Sequence, residues 1–230
     1  MTEEELQQGI DPEELVEAKE DPEAFTLSVT TPDEVATIVE KPLIAPAVEE
    51  RPRYELKEPV FFVGFMVAGK TSVSRKLART CGIASVDLDA YIERREGKPI
   101  NQMFAEIGEE GFREIETEVL AEFATGEPIL VSCGGGIVLR PENREIIKKD
   151  GCVVYLQVTA EEAFARIGDV STRPNFRDLP TARKTIAARV PMYEEVADIS
   201  VDTVGRSIAE VAREVRIELE KAGVLCQLQK

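Results

Sequence analysis

The strongest constraint on this chain is an eight-residue loop, Gly64-Phe65-Met66-Val67-Ala68-Gly69-Lys70-Thr71. It follows the apolar run Val-Phe-Phe-Val at 60–63 and opens a segment with helical apolar spacing at 72–81. A glycine at each end and a closing Lys-Thr satisfy the P-loop pattern, which has meaning only between a strand and a helix. In that setting consecutive backbone N–H groups and the positive helix terminus cradle phosphates. The spacing predicts that Val67, Ala68, Gly69, Lys70, Thr71 and Ser72 hold a nucleotide, with Lys70 reaching the β and γ phosphates and Thr71 holding Mg²⁺.

Downstream, strand and helix patterns alternate. Apolar β-rich runs at 60–63, 83–87, 129–132, 152–158 and 199–201 predict five strands. Between and after them, helical spacing marks 72–81, 90–96, 101–107, 110–123, a segment after Pro141, a segment opened by a Thr159/Glu162 capping box, 181–196 with an interruption at Pro191, and 207–222. The expected fold is α/β, a five-stranded parallel sheet with helices on both faces.

Residues 1–58 differ. They hold 17 acids against 5 bases, so 12 of the 16 net negative charges lie there, and they show no sustained apolar period. Three helix starts, Asp-Pro-Glu-Glu at 11, Asp-Pro-Glu-Ala at 21 and Thr-Pro-Asp-Glu at 31, place a capping residue before proline. This composition predicts a flexible, largely disordered acidic arm at 1–58 and one folded domain at 59–230.

What is missing excludes chemistry as firmly. The chain has no histidine, which rules out a Ser-His-Asp triad and a histidine general base. Its four cysteines are scattered without Cys-x-x-Cys pairing, so reduced buried thiols are expected; Cys133, beside three glycines, is the one nearest a functional motif. A net charge of −16 disfavours nucleic acid and anionic membranes as partners. There is no signal-peptide pattern and no long apolar run, and a cytoplasmic location is expected.

A P-loop protein needs a second acid at a strand end for the metal. The third and fourth strands end in Ser132-Cys133 and Val158-Thr159, but the second ends in Val-Asp-Leu-Asp-Ala-Tyr. Asp87 and Asp89 share one face of an extended segment at the carboxyl end of a strand, where open α/β sheets bind ligands. Asp87 is the natural metal-side acid and Asp89 the natural partner of a substrate hydroxyl; capping the helix near Ala90 is the competing role, above all for Asp89.

With those residues in place, the chain from about 60 to 222 resembles shikimate kinase. The resemblance rests on separated motifs in order: GFMVAGKT, the DLD pair, GEEGFREIE, CGGG, TRP and RVPMYEEVAD. It implies ATP and Mg²⁺ as co-substrate and metal, shikimate as acceptor at its 3-hydroxyl, and Asp89 as the contact of that hydroxyl and its base. It also implies Arg113 as the clamp on the substrate carboxylate, with Glu116 orienting it; Gly134, Gly135 and Gly136 as a backbone surface for the ring; and Arg189 as a second substrate arginine. By the same resemblance Arg173 is a lid arginine closing over ATP within a lid at 167–182, Arg166 and Arg206 flank the adenine, and Phe104 and Phe112 wall the pocket. No nucleic-acid or membrane partner is implied, and a monomer is expected. A gluconate or nucleoside-monophosphate kinase, or a catalytically weak nucleotide-binding protein, are the alternatives. Val67 motivates the last of these, because the family usually has glycine there. The expectation is that Val67 sits at negative φ with its side chain turned from the phosphates.

Overall fold

The computed structural model describes residues 53–166 and 178–228. Residues 1–52 of the expected arm, Arg173 and most of the expected lid lie outside them.

Strand β2 (Val60–Val63) is buried at every position because it is the central strand. The order is β3-β4-β2-β5-β6, with β3 (Ser85–Asp87), β4 (Leu130–Ser132), β5 (Cys152–Gln157) and β6 (Ile199–Asp202). All neighbours are parallel. A side-chain period of two sends successive residues of β2 to opposite faces. Val60 and Phe62 join a core with Val73 and Leu77 of α1 (Lys70–Cys81) and Val211 and Val215 of α7 (Ile208–Lys221). Phe61 and Val63 join the opposite core with Leu120 of α3 (Ile100–Ala124) and Ile147 of α4 (Pro141–Asp150). Both faces are thus covered, as the apolar runs imply.

Register positions the functional ends. Phe62 lies opposite Ser132, and Ser132 lies opposite Asp87. The loop leaving β2, the hydroxyl ending β4 and the carboxylate ending β3 therefore emerge at one level of the carboxyl edge.

The helices largely follow the sequence pattern, with three differences. The helices expected at 101–107 and 110–123 are two parts of α3, divided at Gly108, whose φ of 72° breaks the helical path. In α6 (Leu179–Val196) the expected interruption at Pro191 is absent, and the helix runs through it. In α5 (Ala160–Arg166) half of the expected capping box forms. Thr159 Oγ1 accepts from Glu162 N at 3.2 Å, but the Glu162 carboxylate turns to Arg166.

The structure adds two strands. β1 (Tyr54–Leu56) pairs antiparallel with β7 (Leu225–Gln227) in a separate two-stranded sheet, Leu56 opposite Leu225. Leu56 is buried in the α1/α7 core, and Arg216 of α7 donates to Tyr54 Oη at 3.3 Å. Residues assigned to the arm up to 58 are thus part of the folded unit. Burying a leucine stabilises by about 1.5–3 kcal/mol. A chain beginning at residue 59 is therefore expected to melt about 5 °C below one beginning at residue 53. Equal melting temperatures by circular dichroism would mean that β1 contributes nothing to the folded unit.

Candidate active site

The phosphate loop takes its shape from three backbone positions. Gly64 has φ 136°, and a Cβ there would fall 2.5 Å from the Leu156 carbonyl oxygen of β5, so only glycine fits where the loop leaves the sheet. Gly69, with φ 94°, stands at the N-terminus of α1 without a side-chain cap, which leaves the first helical N–H groups free for an anion. Val67 has φ 57°, the sole non-glycine at positive φ among the described residues. This corrects the expectation of negative φ. A β-branched residue in the left-handed region is strained by about 1–3 kcal/mol, and the surrounding loop holds it there.

Lys70 is 8% exposed, and its Nζ donates to the carbonyls of Gly64 and Phe65, each at 2.9 Å. Burial lowers its pKa to about 8, against the opposing pull of Asp89, Cys133 and Asp87. Thr71 Oγ1 donates to Asp87 Oδ2 at 2.6 Å and lies 3.0 Å from Ser132 Oγ. Asp87 Oδ1 accepts from Ala90 N at 3.0 Å and caps α2 (Leu88–Glu96). The capping role weighed chiefly for Asp89 thus falls to Asp87, one residue before the helix, while Asp89 sits inside its first turn. Asp89 has its pKa raised by burial first and by Asp87 second, with Lys70 and Arg113 opposing. Its carboxyl is therefore shielded from water and within electrostatic reach of both cations.

A second group of residues surrounds the turn after β4. A Cβ on Gly134 would lie 2.7 Å from Asp89 Oδ1 and 3.1 Å from Glu116 Oε1, and one on Gly136 would lie 2.5 Å from Arg113 Nη1. The glycines are needed because Asp89 and the Arg113–Glu116 pair close directly on the turn. Glu116 is buried, and its Oε2 accepts from Arg113 Nη1 at 2.6 Å. Arg113 Nε is buried without a partner, an unsatisfied donor that an incoming carboxylate could serve. From α6, Tyr193 Oη and Arg189 Nη1 both donate to the Gly135 carbonyl, at 2.6 and 3.3 Å. Phe104 and Phe112 pack with ring centroids 4.8 Å apart, and Arg113 lies 5.4 Å over the Phe112 ring.

On the other side of the loop lies a cleft of about 510 Å³ lined by Val67, Gly69, Ser72, Arg166, Thr203 and Arg206. Arg166 donates to the Val67 carbonyl at 3.2 Å, to Thr203 O at 2.7 Å and Thr203 Oγ1 at 3.2 Å, and pairs with Glu162 at 3.0 Å. Arg206 donates to Asp202 O at 2.9 Å and pairs with Glu214 at 2.5 Å.

The described site residues thus fall into two groups meeting at the phosphate loop. Asp89, Arg113, Arg189 and the three glycines lie on one side, and Arg166 and Arg206 on the other. Thr203, Ser132, Glu162 and Tyr193 were not foreseen as site residues. Tyr193 lies within the RVPMYEEVAD motif, which carries a signal for it; Thr203 carries none, because its role depends on a loop meeting Arg166 from 37 residues away. All four cysteines are free, Cys81, Cys133 and Cys152 buried and Cys226 half-buried. No helix among the described residues is long and apolar enough to cross a membrane.

Comparison with known proteins agrees with this geometry. A profile of the shikimate kinase family matches residues 66–220. The shikimate kinase of Dehalococcoides mccartyi is 38% identical over 167 residues, covering 72% of this chain and 95% of that one. That of Cupriavidus pinatubonensis is 40% identical over 167 residues, covering 71% and 87%. The structure of the Acinetobacter baumannii shikimate kinase in complex with shikimate superposes with a TM-score of 0.67 at 33% identity, covering 72% of this chain and 94% of that one. On the profile match over residues 66–220 and on relatives 38% and 40% identical over most of their length, the chain belongs to the shikimate kinase family.

Proposed function

We propose that this site performs the family's reaction, transfer of the γ-phosphoryl group of ATP to the 3-hydroxyl of shikimate, by the following division of labour. The observation that carries it is the convergence of Asp89, Arg113 and the glycine turn directly beside the phosphate loop. Arg113, held by Glu116, offers a planar fork to the acceptor's carboxylate, with Arg189 as a second cation. The acceptor ring lies against the backbone of Gly134–Gly136, which orients the 3-hydroxyl toward Asp89. Asp89 takes the hydroxyl proton as the oxygen attacks the γ-phosphorus and the bond to the ADP oxygen breaks. Its raised pKa brings it closer to the working pH, which favours a general base. Lys70 exchanges its two loop carbonyls for β and γ phosphate oxygens.

Thr71 and Asp87 would hold Mg²⁺. Their oxygens already converge at 2.6 Å, and among the described residues no cluster of three or more acids or thiols forms a complete cage. That donor set fits an ion that keeps water and takes phosphate oxygens as its remaining ligands. Bound there, the ion neutralises charge on the β and γ phosphates. Arg166 and Arg206 border the cleft for the base.

The reading is tested by following ADP release with shikimate, gluconate and a nucleoside monophosphate as acceptors. Release should depend on shikimate alone, and Asp89→Asn should lower kcat by about 10²–10⁴ while ATP affinity is retained. Release indifferent to shikimate would mean a weakly catalytic nucleotide-binding protein, and near-normal turnover by Asp89→Asn would remove Asp89 from the chemistry.

Lys70 gives a pH signature. Its pKa is about 8 in the nucleotide-free fold against an ordinary 10.5. Between those values the unfolded chain holds a proton that the folded chain has released, so stability rises with pH across that window. Phosphates favour the charged form, so ATP binding near pH 8–9 should take up a proton, and affinity should weaken as pH rises through about 8. Calorimetry in two buffers of different ionisation enthalpy measures the uptake. Its persistence in Lys70→Met would assign it to another group.

Val67 sits at φ 57°, with its carbonyl held by Arg166. The surrounding loop holds Val67 in that conformation, so the strain counts against folding. Val67→Gly is expected to change ATP affinity by less than about tenfold, or about 1.4 kcal/mol. Relief of about 1–3 kcal/mol of strain offsets the lost side-chain packing, so the variant should melt near the parent. A much larger gain in ATP affinity would show that Val67 obstructs the phosphates.

A further inference from the structure

One backbone carbonyl in the site accepts two donors from the same helix. Gly135 O receives Tyr193 Oη at 2.6 Å and Arg189 Nη1 at 3.3 Å. The residues are four apart on α6, so they share a helix face. Their environments differ. Tyr193 is fully buried, and its ring stacks on Tyr155 with centroids 5.2 Å apart. Arg189 is only partly buried and lies 5.7 Å over the Phe65 ring of the phosphate loop. The short bond therefore belongs to the immobile donor, and the long one to a side chain with room to move.

Leaving a part-buried carbonyl without a protein donor costs more than losing one of its two donors. An Arg189 that turned from Gly135 to an acceptor's carboxylate would abandon no unsatisfied group, because Tyr193 keeps the carbonyl bonded. We propose that Tyr193 is a positioning residue for substrate binding, whose hydroxyl holds the glycine turn and thereby releases Arg189 to take the acceptor's carboxylate. This rests on the reading of Arg189 as a substrate arginine given above. The turn also has little freedom to drift. A Cβ on Gly135 would stand 3.4 Å from Met66 N, and its two neighbours abut Asp89 and Arg113. Burial raises the Tyr193 pKa to about 12, so the hydroxyl remains a donor throughout the enzyme's working range.

Without the Tyr193 hydroxyl, Arg189 becomes the sole donor to Gly135 and is held there in competition with substrate. Tyr193→Phe keeps the stacked ring and removes that one donor. It should raise the KM for shikimate about tenfold, leave the KM for ATP within about twofold and change kcat little, as loss of one hydrogen bond implies. The decisive measurement repeats the substitution in an Arg189→Ala background, where no arginine remains to be released. There Tyr193→Phe should add less than about twofold to the shikimate KM. A tenfold rise in both backgrounds overturns the proposal, since the hydroxyl would then act on the turn alone, and an unchanged shikimate KM in the parent background overturns it equally. Arg189→Ala by itself must raise the shikimate KM; if it does not, the substrate role of Arg189 falls and the proposal with it. Tyr155→Phe removes a hydroxyl from the other ring of the stack. It should leave both KM values near the parent's, and a shikimate KM raised as much as in Tyr193→Phe would reduce the effect to general loosening and overturn the proposal.

Discussion

The carboxyl edge of the sheet is organised around one buried ammonium group. Lys70 is withdrawn from water, and among the described residues no carboxylate forms an ion pair with it; two loop carbonyls hold it instead. Burial of a cation is unfavourable, which is why its pKa falls to about 8. The arrangement stores an attraction for phosphate that no internal partner has quenched. It also dictates the loop. For the Gly64 and Phe65 carbonyls to face Nζ, the chain must turn sharply as it leaves β2, and the left-handed angles at Gly64, Val67 and Gly69 accomplish this. Strain at Val67 and desolvation at Lys70 are two parts of the same preorganisation.

Asp87 and Asp89 show how environment divides labour between like groups. Asp87 ends its strand with both oxygens engaged, by Thr71 and by the first turn of α2. Asp89, two residues on, enters the helix and faces the glycine turn, where burial and Asp87 raise its pKa. One carboxylate is fixed beside the phosphate-loop threonine as a helix cap, and the other stands without that commitment beside the glycine turn, which is the division on which the proposed metal-side and base roles rest. A buried acid with a raised pKa, set among cations in a cleft, is the usual mark of a functional site.

The sequence made the sheet legible because each strand was an apolar run between turn signals, and the site legible because glycines and charged residues recurred at strand ends. What escaped it depended on contacts between distant segments. β1 is three residues long in an acidic stretch, and its partner β7 lies at the opposite end of the described chain. Pro191 reads locally as an interruption, yet α6 continues through it. Glu162 has the spacing of a capping box, yet pairs with Arg166 on the same helix. The positive φ of Val67 escapes the motif for a related reason. The motif leaves that position free in residue type, but the path from Gly64 to the helix does not leave it free in φ.

Arg166 joins these observations. Its donors are committed to Val67, Thr203 and Glu162, which at first sight leaves nothing for a nucleotide base. A guanidinium, however, hydrogen-bonds within its plane and stacks through its face. Committing the edge to protein leaves the face for the base proposed above and fixes the orientation of the guanidinium plane. The same edge holds the Val67 carbonyl, so the group flanking the base also braces the strained residue of the phosphate cradle. In the proposed function one side chain thus ties the base platform to the phosphate cradle, an arrangement that lowers the ordering cost of binding both ends of the nucleotide.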